Sequence, residues 1–259
     1  MFEHWQSFES GTLFEMAETE RDAQGIPPPP WQRTPRRAAK RREDPITPEA
    51  IVAAALEILD AEGLDRLSMR RVADRLGTGA ATLYWHVGSK DGLLDLLFEE
   101  VIGELEVPDP EPGRWRDQLK DVARTMRAMI LRHRDIVRIS IGRIPIGPNA
   151  LRHSERTLAI LRAGGVPDEL AVQGYLLLMS IVNGFTIDET GEGGQPPADQ
   201  PPAEEAAHMV RDYFASLPAE RFPNLVSLGD HFALSDADQR FDMLLDLYVE
   251  GLAKRAGAA

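Results

Sequence analysis

The chain of 259 residues contains no cysteine, and its six histidines are scattered along the sequence. The absence of cysteine excludes disulfides and thiolate metal ligands, which fits a reducing cytoplasm. The N-terminus lacks a basic stretch followed by an apolar one, so we expect no secretory signal. The longest strongly apolar run, residues 175–182, is shorter than the ~18 residues that a membrane span requires. These absences predict a soluble, cytoplasmic protein that does not associate with membranes.

Motifs for catalysis and for phosphate or metal binding are missing as well. There is no Ser/His/Asp arrangement, no H-E-x-x-H pattern and no phosphate-binding glycine loop. His133 and His153 fall near a region that we expect to form a pocket, but isolated histidines are more often structural. We therefore predict no enzymatic activity, no catalytic residue, no metal site and no cofactor.

Charge is distributed unevenly along the chain. The net charge of −13 at pH 7 is unusual for a protein that binds a polyanion. Residues 31–90 nevertheless hold eleven basic and eight acidic side chains, whereas residues 1–30 carry a net charge of −5 and residues 91–259 carry −11. An acidic body repels DNA and helps to orient a basic end toward it. The basic part is therefore the part in which a DNA-binding motif is expected.

That basic part contains SMRRVADRLGTGAATLYWHVGSK, residues 68–90, which has the pattern of two short helices joined by a turn at Gly77. Small apolar side chains recur at helical spacing and would form the inner faces of the pair: Met69, Val72, Ala73, Leu76, Leu83 and Val87. The outward positions carry side chains that can donate hydrogen bonds to phosphates or base edges: Thr78, Thr82, Tyr84, Trp85, His86 and Lys90. This pattern predicts a DNA-binding helix-turn-helix.

The same stretch resembles the TetR family of bacterial transcriptional regulators. TLYWHV at residues 82–87, followed by Lys90 and by LLD at residues 93–95, is most similar to the tetracycline-responsive members of that family. Three later segments occur in the order and approximate spacing of their C-terminal domain: RWRDQL from residue 114, LRHRD from 131 and GRIP from 142. The resemblance covers about residues 45–255 and leaves the first 43 residues outside it.

The resemblance implies specific DNA contacts. Arg70 matches a position that reads a base, and arginine suits bidentate contact with guanine. Thr82 matches a second base-proximal position, whereas Tyr84, His86 and Lys90 match groups that hold the phosphate backbone. The DNA-binding residues that we expect are Ser68, Arg70, Thr78, Gly79, Ala80, Ala81, Thr82, Tyr84, Trp85, His86 and Lys90.

The roles of Ala80, Ala81 and Trp85 within this set have to be considered separately. Ala80 and Ala81 stand where the tetracycline-responsive members have glutamine and proline, so we expect a different operator sequence. Trp85 either contacts DNA or packs between helices, and we favour packing because that is the commoner role of an aromatic residue at such a position.

Almost everything after Thr47 is predicted to be helical. Thr47, Ser68 and Ser89 are expected to cap helices at their N-termini, and Gly63 to end the first one. We predict an all-α chain with a disordered N-terminal extension at residues 1–43 and a three-helix helix-turn-helix DNA-binding domain at residues 44–92. A helical effector-binding and dimerisation domain follows at residues 93–259.

Later helices are predicted at about residues 90–105, 115–132, 149–163, 168–190 and 236–254, with a short helical stretch near Ile136 and a flexible loop at residues 191–202. The first of these is long enough to link the DNA-binding domain to the next one. Those at 168–190 and 236–254 carry more apolar surface than one neighbour would cover. We assign them to a four-helix homodimer interface, with monomer core as the alternative.

The resemblance also implies that the C-terminal domain binds a small molecule. The tetracycline-responsive members hold a metal-chelated drug with histidine, threonine, asparagine and phenylalanine, and the matching residues here are Ser140, Arg143, Val122 and Met126. Without the imidazole the metal loses a ligand, so we expect no response to magnesium-tetracycline. Effector contacts are expected from Val122, Met126, Ser140, Arg143 and Asn183. Alternatively, Arg143 pairs with an acidic neighbour and the methionines are ordinary core residues.

Together these features predict a ligand-responsive transcriptional regulator that binds a palindromic double-stranded DNA operator as a homodimer. Repression is favoured, and activation is the alternative. A small-molecule effector other than magnesium-tetracycline would release it. The alternative is a DNA-binding regulator controlled by a protein partner through the N-terminal tail or the acidic loop.

Overall fold

The computed structural model describes residues 46–190, 203–233 and 236–257, and within these ranges the regular structure is helical, without strands. The predicted all-α fold class is confirmed. The α-helices are α1 (Pro48–Glu62), α2 (Met69–Arg75), α3 (Ala80–Val87), α4 (Lys90–Gly103), α5 (Trp115–Arg132), α6 (Ile136–Ser140), α7 (Pro148–Ala163), α8 (Asp168–Thr190), α9 (Ala203–Ala215), α10 (Pro223–Ala233) and α11 (Ala237–Ala256). The predicted extension at residues 1–43 and the predicted loop at 191–202 lie outside the described residues.

Local capping fixes where the first helices begin and end. The side-chain oxygens of Thr47, Ser68 and Ser89 each accept the backbone N–H three residues further on, at 3.2, 3.3 and 2.9 Å. Each cap satisfies a helix N–H that has no partner inside its own helix. Gly63 follows α1 with a φ of 86°, a conformation that favours glycine. The predicted caps and this helix end are confirmed.

The described chain divides into two compact units. The first unit contains residues 46–106 and 132–155, and the second contains residues 107–131 and the described residues from 156 onward. The first unit thus holds α1 to α4 together with α6 and the start of α7. These units do not coincide with the predicted domain boundary at residue 92, because the segment 132–155 packs with the N-terminal helices.

The first unit is built around a compact apolar core. Ile51 and Leu59 from α1, Leu83 from α3, and Leu93 and Leu97 from α4 are fully buried. Because each fully buried leucine or isoleucine side chain contributes about 2 kcal/mol through the hydrophobic effect, this core holds the short helices α2 and α3 in place.

In the second unit, α8 packs against α11. The Tyr248 hydroxyl donates a hydrogen bond to the Gly174 carbonyl oxygen at 2.8 Å, and the rings of Phe185 and Phe241 are 4.9 Å apart. A side chain at position 174 would lie within 3.4 Å of Tyr248 and Leu252, so glycine allows the close approach of the two helices. By length and composition alone, α8 is the one helix of the described residues that could cross a membrane. The apolar run at residues 175–182 covers only part of this helix, so the length of that run alone gave no sign of this property.

The helices α9 and α10 were not predicted from the sequence. They pack against each other, with the rings of Phe214 and Phe232 5.4 Å apart in an edge-on arrangement. Several of their large apolar side chains, including Met209, Tyr213 and Leu228, are exposed. Apolar residues do recur at helical spacing in α9, at Met209, Tyr213 and Phe214, so the sequence contained a signal for this helix that was overlooked.

Candidate DNA-binding surface

The helices α2 and α3 form the expected helix-turn-helix. Gly77 lies between them with a φ of 66°, and the Thr78 N–H donates to the Ala73 carbonyl oxygen at 3.0 Å. On α3, Leu83 and Val87 point into the core. Burial of these two residues fixes which side of α3 faces outward.

The outward side of α3 carries two large exposed aromatic residues. Tyr84 is 49% exposed and Trp85 is 61% exposed. The interpretation of Trp85 as a residue that packs between helices is therefore wrong. Its only described ring contact is edge-on with its neighbour His86, at 4.6 Å between ring centroids. The Trp85 ring is presented to solvent because α3 is anchored through the opposite face.

The other expected DNA-binding residues surround these rings. Thr82 and His86 are half-buried on α3, and Lys90 is exposed at the first position of α4. The Nε2 atom of His86 is buried and has no hydrogen-bond partner within the described part of the chain. These three side chains lie within eight residues of one another, next to Tyr84 and Trp85.

The start of α3 is open to solvent. Gly79 is the residue before the helix, and Ala80 and Ala81 are its first two residues. No described atom lies within 4 Å of the position that a side chain at Gly79 would take. Thr78 is half-buried, and the hydroxyl of Ser68 is engaged as the cap of α2. The N–H groups at this end of α3 can therefore approach another molecule closely.

The arginines of α2 differ in how they are held. Arg71 pairs with Glu62 at 2.6 Å, and Arg75 pairs with Glu57, so both are tied to α1. The Arg70 side chain is 89% exposed, and its Nε lies 4.0 Å from Asp74. Because an exposed pair at this distance contributes little free energy, the Arg70 guanidinium can exchange this contact for one with a nucleic acid.

The expected effector contacts fall in both units. In the second unit, Val122 and Met126 are buried on α5, and Asn183 is half-buried on α8. In the first unit, the Ser140 hydroxyl donates to the Val137 carbonyl oxygen at 2.7 Å. Arg143 pairs with acidic residues of α4, which is the alternative that the sequence had left open.

Sequence reasoning missed the acidic residues of α4 that hold the first unit together. Asp91 and Asp95 pair with Arg143, and the Glu99 carboxylate accepts the backbone N–H groups of Asn149 and Ala150 at the start of α7. Burial raises the pKa of Glu99 above its usual value. The four-residue spacing of these acids was a signal in the sequence, since such residues share one face of a helix.

A buried histidine completes this set. Glu104, just after α4, lies 2.9 Å from His133 Nε2, and Asp60 of α1 lies 3.1 Å from His133 Nδ1. Arg132 also pairs with Glu104 at 2.6 Å. His133 is therefore structural, and it joins α1 to the end of α4. In the described ranges, no three histidine, aspartate or glutamate side chains are grouped so that they could hold a metal ion.

Comparison with known proteins agrees with this geometry. The family description for bacterial regulatory proteins of the tetR family matches residues 51–97, and the description "Tetracyclin repressor-like, C-terminal domain" matches residues 107–256. The crystal structure of the TetR family protein ActR from Streptomyces coelicolor in complex with actinorhodin superposes with a TM-score of 0.75. It is 46% identical in sequence, and the match covers 83% of this chain and 100% of that one.

Two curated relatives extend the comparison. The HTH-type transcriptional repressor DrrR1 of Streptomyces coeruleorubidus is 38% identical over 152 residues, which are 58% of this chain but only 56% of that repressor's length. The tetracycline repressor protein class A from transposon 1721 of Escherichia coli is 30% identical over 213 residues, 81% of this chain and 92% of that repressor. The expected resemblance is confirmed, and the chain belongs to the TetR family of DNA-binding transcriptional regulators.

Proposed function

We propose that this protein is a ligand-responsive repressor that binds a palindromic operator as a homodimer in the cytoplasm and has no enzymatic activity. A small-molecule effector other than magnesium-tetracycline releases it from DNA. The repressor role is supported by the names of its relatives DrrR1 and the class A tetracycline repressor.

The observation that carries this proposal is the exposed side of α3. Tyr84 and Trp85 are exposed there although α3 is firmly anchored through Leu83 and Val87. Arg70 and Lys90 add exposed positive charge at the two ends of the motif. Hydroxyl, indole N–H and cationic groups within residues 70–90 suit the phosphates and base edges of a major groove.

Homodimerisation is supported by exposed aliphatic side chains on α8 and α11. Val172, Leu176 and Leu177 of α8 and Met243 and Leu247 of α11 are each between 51% and 64% exposed. We call these five residues the aliphatic face. Large exposed apolar groups of this kind mark interaction surfaces. A two-fold pair formed through them would present two α3 helices and so favour a palindromic site with half-sites about 34 Å apart.

The effector is proposed by analogy with ActR, which has been crystallised with actinorhodin and with (S)-DNPA. These two compounds are therefore the first candidates for this chain. Val122, Met126, Ser140 and Asn183 are the side chains proposed to contact the effector, whereas Arg143 has a different role, argued below. The replacement of the drug-binding residues of tetracycline-responsive members predicts that magnesium-tetracycline is not an effector.

Operator binding can be tested by fluorescence anisotropy. The purified full chain is titrated into labelled duplexes that carry palindromes from the region around its own gene, with a scrambled duplex of equal length as control. We expect one palindrome to bind at least about a thousandfold more tightly than the scrambled duplex, with affinity falling as salt rises. Equal binding of all duplexes at low salt would contradict a specific operator.

Effector release can be tested on the same complex. Actinorhodin, (S)-DNPA and magnesium-tetracycline are added in turn to the preformed complex with the best duplex. Release by either ActR ligand and none by magnesium-tetracycline is the expected outcome. Release by magnesium-tetracycline at micromolar concentration would show that the substituted drug-binding positions had been wrongly interpreted.

A further inference from the structure

One face of α4 carries a ladder of acidic side chains. Asp91, Asp95 and Glu99 are four residues apart, so they share one face of the helix. Every partner named for them above lies in a single segment of chain, residues 136–150, with Arg143 near its centre. These contacts therefore hold α4 along most of its length against one short stretch of chain.

Arg143 is the basic member of this ladder. Its side chain is 20% exposed, and its two terminal nitrogens pair with Asp95 and, at 3.3 Å, with Asp91. A turn at Gly142, which has a φ of 75°, brings Arg143 toward α4. Partly buried, doubly paired arginines are stronger restraints than exposed ion pairs, because solvent screens them less.

The Arg143 arrangement nevertheless leaves one donor unused. Its Nε is buried and has no hydrogen-bond partner within the described part of the chain. A buried donor without a partner destabilises the arrangement that contains it. A second arrangement that satisfies this nitrogen can therefore compete with the observed one. A contact that has to break when the effector binds requires such a competing arrangement.

The chain connections place this ladder between the two functional parts. Residues 136–150 are separated from the end of α5 by three residues and run into the first turn of α7, and α5 carries the proposed effector contacts Val122 and Met126. At its other side, α4 begins three residues after Val87, the last residue of α3. These side chains are therefore the contacts through which a displacement of the segment would act on α4, which a very short connection joins to α3.

We propose that Arg143 is a positioning residue whose ion pairs with Asp95 and Asp91 couple effector binding to the placement of α3. It acts through α4 and touches neither DNA nor effector. This inference rests on the proposed function, since coupling has a meaning only if both ligands bind. Removal of the pairs leaves each binding surface intact but weakens the communication between them.

The test compares Arg143→Leu and the isosteric Asp95→Asn with the unmodified chain. Effector affinity is measured by calorimetry, using whichever of actinorhodin or (S)-DNPA binds, and the effector concentration for half-release of operator is measured by anisotropy. We expect effector affinity to change less than about twofold and the half-release concentration to rise about tenfold or more, within the usual range of coupling energies. Arg162→Leu, which removes an exposed pair with Asp168 in the second unit, is the matched control and should change neither value.

A charge exchange makes the test specific. Arg143→Asp and Asp95→Arg should each raise the half-release concentration, and the double variant should restore it, because the ion pair is re-formed with its polarity reversed. Restoration of coupling supports the ion pair as the cause. Failure of the double variant to restore release, with normal effector affinity and operator binding, overturns the proposal.

A measurement without DNA or effector separates this inference from the proposed function. Backbone amide exchange of α4 should be faster in Asp95→Asn and Arg143→Leu than in the unmodified chain, with α8 unchanged as an internal reference. Unchanged exchange in α4 overturns the inference even if the protein proves to be a repressor. If Arg143→Leu does not fold, Asp95→Asn and the charge-exchange pair decide the outcome. An unmodified chain that binds no duplex refutes the proposed function instead.

Discussion

The outward side of α3 and the aliphatic face of α8 and α11 both expose large apolar side chains, and they differ in what those side chains carry. On α3, Tyr84 and Trp85 each have a polar group, and the same helix-turn-helix segment carries the charged Arg70 and Lys90. On the aliphatic face of α8 and α11, residues such as Leu176 and Leu247 have no polar atom in the side chain. Exposure alone does not identify a partner, but the chemistry of the exposed groups does.

The difference indicates how permanent each contact is. An aromatic ring with a hydroxyl or N–H group keeps that group hydrated when no partner is present, so the α3 surface tolerates solvent between binding events. An aliphatic side chain forms no hydrogen bond with water, so its exposure is unfavourable until a partner covers it. We therefore expect DNA binding to be reversible and salt-dependent, and contact through the aliphatic face to be lasting.

The largest expected effect comes from placing a charge in the aliphatic face. Leu176→Arg should prevent dimerisation, because an unpaired charge in an apolar interface costs about 3 kcal/mol or more, roughly a hundredfold in the dimer dissociation constant. Operator affinity should fall with it, since two linked α3 helices are needed for a palindrome. Light scattering coupled to gel filtration, together with anisotropy, measures both.

Leu151→Arg provides the control for this variant. Leu151 is also an exposed leucine, but it lies on α7 in the first unit. It should leave the oligomeric state unchanged. A Leu176→Arg protein that stayed dimeric would remove the distinction drawn between the two surfaces.

The second largest effect is expected from acid pH, which should lower the stability of the unit that carries α3. Burial lowers the pKa of His153 from 6.5 to about 4, and His153 belongs to the unit that carries α3. Between these two pH values the unfolded chain binds a proton that the folded protein does not, so the free energy of unfolding falls as the pH falls. The loss across the window is about 3 kcal/mol, and it is absent above about pH 6.5.

Urea unfolding at about pH 7.5 and about pH 5 measures this dependence. His153→Gln cannot take up the proton and should show a flatter dependence, whereas His208→Gln, at an exposed position on α9, should behave like the unmodified chain. Equal pH dependence in His153→Gln would show that other groups cause the acid loss.

How far the sequence predicted these regions depends on whether the signal was local. Thr47, Ser68 and Ser89 cap their helices as expected, because a cap involves only a few neighbouring residues. The helices α9 and α10 were missed although their apolar residues recur at helical spacing, because a short amphipathic segment next to a Pro- and Gly-rich stretch was not given weight. The partners of Arg143 lie about fifty residues away in sequence, so only the fold could choose between its two proposed roles.

Trp85 illustrates the same limit on α3. The pattern of Leu83 and Val87 predicted the inner face correctly, yet the general preference of aromatic residues for packing favoured the wrong environment for Trp85. The helical period places residue 85 away from both anchors, and that geometric argument outweighs the general preference. The DNA contacts of the whole set stay a prediction.

A smaller effect should distinguish exposed tyrosines in the two units. Tyr84→Ala removes a proposed phosphate contact and should weaken operator binding about tenfold, which corresponds to about 1.4 kcal/mol. Tyr213→Ala removes another exposed tyrosine, from α9 in the second unit, and should leave affinity unchanged. Both affinities are measured by anisotropy at one salt concentration. Equal losses in the two variants would argue against a specific role for the α3 surface.

The smallest expected effect concerns Lys90 and is opposite in sign for stability and for binding. Lys90 is the first residue of α4, where the positive end of the helix dipole disfavours a cation by about 0.3–1 kcal/mol. Lys90→Ala should therefore leave the free energy of unfolding unchanged or slightly raised. If Lys90 neutralises one phosphate, the slope of log affinity against log salt should become shallower by about 1. Lys254→Ala, near the C-terminal end of α11 where a cation is favourable, should instead lower stability slightly and leave the slope unchanged. A lysine at a helix start is unfavourable for the fold, so an anion outside the protein explains its presence better than the fold does. An unchanged slope in Lys90→Ala would refute that explanation.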